Sequence, residues 1–247
     1  MSSSEKNIVK PLTAEFAQTL WRTHGEINYL SYQAWYEGKG RQNTEEGNFI
    51  SLLRCRGCFR TFGREYSVIR VLDYNGVKRR NKAEYDNMLD AHLSRLRELF
   101  GNDPKQIDLD GIVEALFLPK MGHPRVTRHR APSLVSKIGA FLYPDEIVPF
   151  DSYGFAGAKK LAKSTIHFQH EKGDLTDCRL AWFQKCCRDF RKKHKHEINQ
   201  AHLSLQSDSE RFLPLPVKPV FSNRIVDLYL MSVGARFQTR PFEHVCL

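Results

Sequence analysis

Ala131-Pro-Ser-Leu-Val-Ser-Lys137-Ile-Gly-Ala-Phe-Leu-Tyr-Pro-Asp-Glu-Ile-Val-Pro-Phe-Asp151-Ser-Tyr153 is the stretch on which the reading of this chain turns. It predicts one helix over 133–142 and another over 151–163, joined by a loop in which Pro144 and Pro149 interrupt helical geometry. Lys137 falls near the start of the first helix and is followed by Ile138, Phe141 and Leu142, which places its stem beside an apolar face. Desolvation and the positive N-terminal end of the helix then both act to lower its pKa, and a neutral amine is a nucleophile. Asp151 follows Pro149 and stands where an N-cap accepts helix N–H bonds. A carboxylate fixed in that way can stabilise a developing cation.

Outward from this pair the chain reads as all-α. Toward the N-terminus, Tyr85, Met88, Leu89, Leu93, Leu96, Leu99 and Phe100 recur at helical spacing and Gly101 supplies a stop. Asp110 is expected to cap a short helix that buries Ile112, Val113, Leu116 and Phe117 and closes at Pro119. Toward the C-terminus, Thr176 or Asp177 is expected to cap a long helix through Leu180, Phe183, Cys187 and Phe190, whose later turns become the basic run Arg188 to His196. The segment 213–219, rich in proline, reads as extended. Ser222 is expected to cap a last helix, carrying Ile225, Val226, Tyr229 and Leu230, that stops at Gly234. At the other end of the chain, Thr13 can cap a helix with Phe16, Leu20 and Trp21, ended by Gly25, and Ile27 to Tyr36 continues as an aromatic helical stretch. A strand and a helix fit Tyr66 to Leu72 nearly equally; the turn dipeptide Asn75-Gly76 follows, and a small irregular or β segment is allowed near 64–77. No strand–helix alternation argues for a nucleotide-binding α/β sheet.

The length of 247 residues suits one large domain or two small ones. Thirty-eight lysines and arginines against 28 aspartates and glutamates give a net charge of +10, which favours polyanionic partners and long-range attraction to phosphate. Nothing resembles a spanning helix or a cleavable leader, so a cytoplasmic, nucleoid-associated protein without a membrane partner is expected. The cysteines Cys55, Cys58, Cys178, Cys186, Cys187 and Cys246 are sparse and irregular, which fits a reducing compartment better than a disulfide framework.

Ser136-Lys137-Ile138 and Val148-Pro149-Phe150-Asp151 resemble the helix-hairpin-helix DNA glycosylases, most closely the 8-oxoguanine type. There a catalytic lysine in a Gly-Thr-Lys-like context ends the hairpin, and a Val-Pro-Val-Asp-like segment leads into the helix that carries a catalytic aspartate. The likeness is close from about 132 to 153 and looser on either side. It implies a helix-hairpin-helix glycosylase-like bundle over 81–247, with 1–80 as a helical segment packed on it. It also implies base flipping, Lys137 as nucleophile toward C1′ with a Schiff base that permits strand cleavage, and Asp151 as stabiliser of the oxocarbenium-like sugar. The expected substrate is double-stranded DNA containing a modified base, bound by a monomer that needs no cofactor or metal. Where the family hairpin has glycines that approach a phosphate, this chain has Ser133 and Val135, so DNA contact is expected around Ser133, Val135 and Ser136, with Arg125, Arg128 and Arg130 flanking. A frame without a recognisable standard lesion pocket raises excision of hypermodified phage bases, an antiviral role. The competing reading is a non-catalytic helix-hairpin-helix DNA-binding protein in which Lys137 meets phosphate. A nuclease is disfavoured, since no compact carboxylate cluster suits a metal pair.

Other features read more plainly. Lys120, His123 and His129 add to the cations before the first helix, and Arg188, Arg191, Lys192, Lys193 and Lys195 form a denser run that suits a helix C-terminus as well as DNA. Cys55-Arg-Gly-Cys58 has a metal-knuckle spacing without a second pair nearby, and the later cysteines do not reproduce the four-cysteine iron–sulfur loop of some relatives. Trp21, Tyr29, Tyr32, Trp35 and Tyr36 form a helical aromatic stripe, which is a core pattern before it is a stacking platform. Phe155 and Trp182 suit either role.

Overall fold

The structure, a computed structural model, describes residues 10–26, 53, 55–66, 69–74, 81–100, 107–118, 125–164, 179–208 and 215–234. The stretch Ile27 to Tyr36, the turn at Asn75-Gly76, the stops at Gly101 and Pro119, Lys120, His123, the cap at Thr176 or Asp177, Cys178 and Cys246 lie outside the described residues.

Nine α-helices carry the described fold: α1 (Ala14–Leu20), α2 (Arg56–Glu65), α3 (Lys82–Phe100), α4 (Leu109–Phe117), α5 (Pro132–Leu142), α6 (Ser152–Ser164), α7 (Arg179–Lys193), α8 (Lys195–Gln206) and α9 (Lys218–Gly234). The all-α expectation holds. Among the described residues of 66–72 there is no strand; a 3₁₀ turn at Ile69–Val71 leads to an antiparallel bridge between Leu72 and Thr127, flanked by Asp73 N–H to Val126 O at 2.8 Å and Arg128 N–H to Val71 O at 2.9 Å. No helix among the described residues is long and apolar enough to cross a membrane.

Caps explain where several helices begin. Thr13 Oγ1 accepts the Phe16 N–H at 3.2 Å, as its position predicts, and α1 passes into a π turn over Trp21–Gly25. Two expected caps are corrected. Asp108, not Asp110, caps α4, accepting the Gly111 N–H at 2.9 Å. Asp110 points away from its own helix and accepts the N–H groups of Leu180 at 3.1 Å and Ala181 at 2.8 Å, so it caps α7 across the fold. A carboxylate in the first turn of one helix is free to satisfy the open donors of another. Ser222 is likewise not a cap: α9 starts at Lys218, with Pro219 in the first turn where its missing N–H is harmless, and Ser222 Oγ donates to Lys218 O at 2.7 Å.

The helix expected to run through the basic segment breaks at His194, whose ring lies 4.3 Å from that of Phe190. A new helix, α8, follows, with Ile198, Ala201, His202 and Leu205 buried. The N-terminal segment packs on α8 and α9, tied by Arg22 to Asp208 at 2.8 Å and by Tyr229 Oη donating to Lys10 O at 2.9 Å. Trp21 is fully buried against Phe221, ring centroids 5.0 Å apart.

The tightest helix contact joins α6 to α9. Gly157 faces the Leu230 carbonyl and Gly234 faces the Tyr153 carbonyl so closely that a Cβ at either glycine would overlap the opposing oxygen. Lys160 Nζ then donates to the Val233 carbonyl at 2.8 Å, satisfying one open acceptor at the end of α9. This crossing sets the start of α6 beside the C-terminal end of α9.

Candidate active site

Pro132 opens α5, and the helix buries Leu134, Val135, Ile138 and Phe141 on its core side. Lys137 is left half-buried, its Nζ donating to the Tyr66 carbonyl at 3.0 Å. Burial holds the Lys137 ammonium below the usual lysine range, with Arg70 adding to the effect and Asp151 and Asp227 opposing it.

Asp151 takes the cap position at the head of α6, where its Oδ1 accepts the Gly154 N–H at 2.6 Å. The loop leading to it is fixed by side chains from three helices. Ser136, adjacent to Lys137, accepts the Phe150 N–H on its Oγ at 2.9 Å while donating to Ser133 O at 3.2 Å. Gln184 of α7 clamps both backbone groups of Val148, receiving its N–H at 3.0 Å and donating to its carbonyl at 2.7 Å. Asn223 of α9 donates to the Pro144 carbonyl at 2.9 Å and accepts from Arg191 at 2.6 Å. One hydroxyl thus couples the helix of the lysine to the lead-in of the aspartate, and two buried amides hold that lead-in rigid.

Beside Lys137 opens a cavity of about 100 Å³, walled by Trp21, Tyr66, Phe141, Pro149, Asn223 and Arg224 among others. The wall is mainly apolar and aromatic, with the lysine as its amine. Asp151 is not part of this wall; it acts on Lys137 electrostatically from the head of α6.

A residue that the sequence reading missed completes the group. Asp227 of α9 is 2% exposed and ion-paired with Arg224 through Oδ2, while its buried Oδ1 meets no hydrogen-bond donor among the described residues. Burial pushes its carboxyl up to about 6, against the Arg224 guanidinium; Asp151 pushes the same way and Lys137 the other. Its signal in the sequence is faint: a single acid on an apolar helix face, between Val226 and Leu228.

The expected DNA-contacting residues divide. Arg128 and His129 are exposed. Arg125 pairs with Asp73 at 2.7 Å, and Arg130 pairs with Glu114 and lies over the Phe117 ring at 5.1 Å. Ser133 is partly exposed, whereas Val135 and Ser136 are fully buried and turn their side chains inward. In the basic run, Arg188, Lys192, Lys193 and Lys195 are exposed, and Arg191 is spent on Asn223 and on the Asp145 carbonyl at 3.1 Å. Phe155 and Trp182 meet edge to face at 5.5 Å, within the core's margin.

Comparison with family models, curated proteins and solved structures finds no match. Burial pushes the Cys186 thiol up to about 12 and the Cys187 thiol well above the ordinary range, so neither is primed as a nucleophile or a ready metal ligand. Cys55 instead caps α2, its Sγ accepting the Cys58 N–H at 3.3 Å.

Proposed function

We propose that this protein is a DNA glycosylase of helix-hairpin-helix type that flips a modified base from duplex DNA and cleaves its N-glycosidic bond. The observation that carries the reading is the lysine itself: a half-buried amine, weakened as an ammonium by its surroundings, at the wall of an aromatic cavity and within electrostatic reach of a carboxylate locked as a helix cap. An amine so placed suits attack on C1′ better than contact with a phosphate at the surface, which favours catalysis over simple binding. Asp151, held by its cap bond at the head of α6, suits stabilisation of positive character on the sugar as the base departs. The net charge of +10 supports a polyanionic substrate.

Incubation with a panel of duplexes carrying damaged bases, together with modified and unmodified phage DNA, scored by mass spectrometry for free base, tests the function. Release from one class of duplex is expected, and borohydride is expected to trap an adduct that Lys137→Gln abolishes. Asp151→Asn is expected to lose base release while still binding DNA. Salt-sensitive DNA binding with no base released from any duplex marks a binding protein and overturns the proposal.

A further inference from the structure

We propose that Asp227 is the group that takes the proton from Lys137 when the amine attacks, so that the two acids near the lysine have separate tasks. This rests on the glycosylase reading and deepens it.

The two acids are differently occupied. Asp151 gives its Oδ1 to the Gly154 N–H. Asp227 gives one oxygen to Arg224 and keeps the other, Oδ1, open in a buried setting. It does not itself line the cavity; it lies on α9 one turn past Asn223 and next to Arg224 on the helix face, both of which share the wall with Lys137, and it is ion-paired with Arg224. The charges that act on it are Lys137 of α5, Asp151 at the head of α6 and Arg224 on its own helix, and it acts in turn on the Cys187 thiol of α7. Burial lowers the amine and raises the carboxyl, so donor and acceptor approach each other from both sides. Paired groups whose surroundings split their proton affinities are how one site runs acid and base steps together.

On an abasic duplex the step balances as follows. A proton of the Lys137 ammonium passes through one bridging water to Asp227 Oδ1. The freed lone pair forms a C–N bond to the C1′ aldehyde carbon as the C=O π pair moves onto oxygen, and a proton passes from the new ammonium nitrogen to that oxygen, giving a neutral carbinolamine. Asp227 returns its proton to that hydroxyl, which leaves as water, and the iminium so formed accepts hydride from borohydride.

The test is the pH profile of borohydride trapping on duplex DNA with one abasic site. The rate for the unaltered protein is expected to rise as pH climbs through about 6, where Asp227 becomes an acceptor. Asp227→Asn should erase that limb and slow trapping about tenfold or more at neutral pH, and Asp227→Glu should restore the limb. Arg224→Gln, which leaves the acid but removes the cation holding it down, should move the limb to higher pH. A limb unchanged in both Asp227→Asn and Arg224→Gln overturns the assignment. Without DNA, labelling of Lys137 by trinitrobenzenesulfonate, read by mass spectrometry, should show a midpoint about one pH unit lower in Asp227→Asn, because a neighbouring anion is lost. An unshifted midpoint also overturns it. A protein that shows the labelling shift but never traps DNA overturns the reaction and leaves the coupling standing.

Discussion

Burial acts on Lys137 and Asp227 in opposite directions on the pH scale, because in each it disfavours the charged form. For Asp227 this has a consequence for stability as well as for proton transfer. Its folded value of about 6 lies above the ordinary 3.8, so its contribution to stability is fully present below about pH 4 and is lost as pH rises through 6. At neutral pH the ionised acid therefore costs the fold up to about 3 kcal/mol, since a tenfold change in proton affinity corresponds to about 1.4 kcal/mol. Buried His92 runs the other way: burial lowers it from 6.5, so its contribution is present above that value and fades as pH falls below it. Between about pH 4 and 6.5 the two therefore act against each other, Asp227 weakening the fold as pH rises and His92 strengthening it. Denaturant unfolding of Asp227→Asn at pH 5 and pH 7.5 checks the sign: the variant should gain more against the unaltered protein at the higher pH. An equal difference at both pH values would mean that Asp227 ionises as freely in the fold as out of it.

Helix α6 is held at its head and along its body, and each hold yields a prediction. At its head, Ser136 Oγ is the acceptor for the buried Phe150 N–H. Ser136→Ala strands that donor, which should cost about 1–3 kcal/mol in thermal or denaturant unfolding, and should slow trapping at Lys137 even though neither reacting side chain is touched. Along its body, Gly157→Ala drives a methyl into the Leu230 carbonyl and should destabilise by about 1–3 kcal/mol. A Gly157→Ala protein as stable as the parent would mean that α6 and α9 do not cross this closely. Both effects show what could be read from the chain alone. The helices around Lys137 and Asp151, the capping of α1 by Thr13 and the long period of α3 were legible because periodicity and caps are local signals. Asp110 misled because a capping residue looks the same whether it serves its own helix or one seventy residues away. Helix α8 went unseen although Ile198, Ala201 and Leu205 carry its apolar face, because lysines and histidines dominate its first turns. Asp227 left only a faint local trace, a lone acid in an apolar helix, since its meaning depends on which residues surround it after folding.

At the scale of the whole molecule, the cavity is closed by segments from across the chain: Trp21 after α1, Tyr66 after α2, Lys137 in α5, and Asn223 and Arg224 in α9. The N-terminal segment therefore builds the site rather than merely covering the core. The excess positive charge is unevenly available for a polyanion. Arg125 and Arg130 already face Asp73 and Glu114, whereas Arg128 between them is exposed on the segment that leads into α5. A phosphate contact releases counterions, so the salt dependence of DNA binding counts such contacts. Arg128→Ala should weaken binding to all duplexes alike and lessen the slope of log affinity against log salt by about 1. Arg125→Ala removes the cation opposite the largely buried Asp73, so its main effect should be a lower unfolding midpoint, with the salt slope little changed. Salt titrations of the two variants beside the parent separate these roles. A slope that falls for Arg125→Ala and holds for Arg128→Ala would place the DNA on a different face from the one that leads to Lys137.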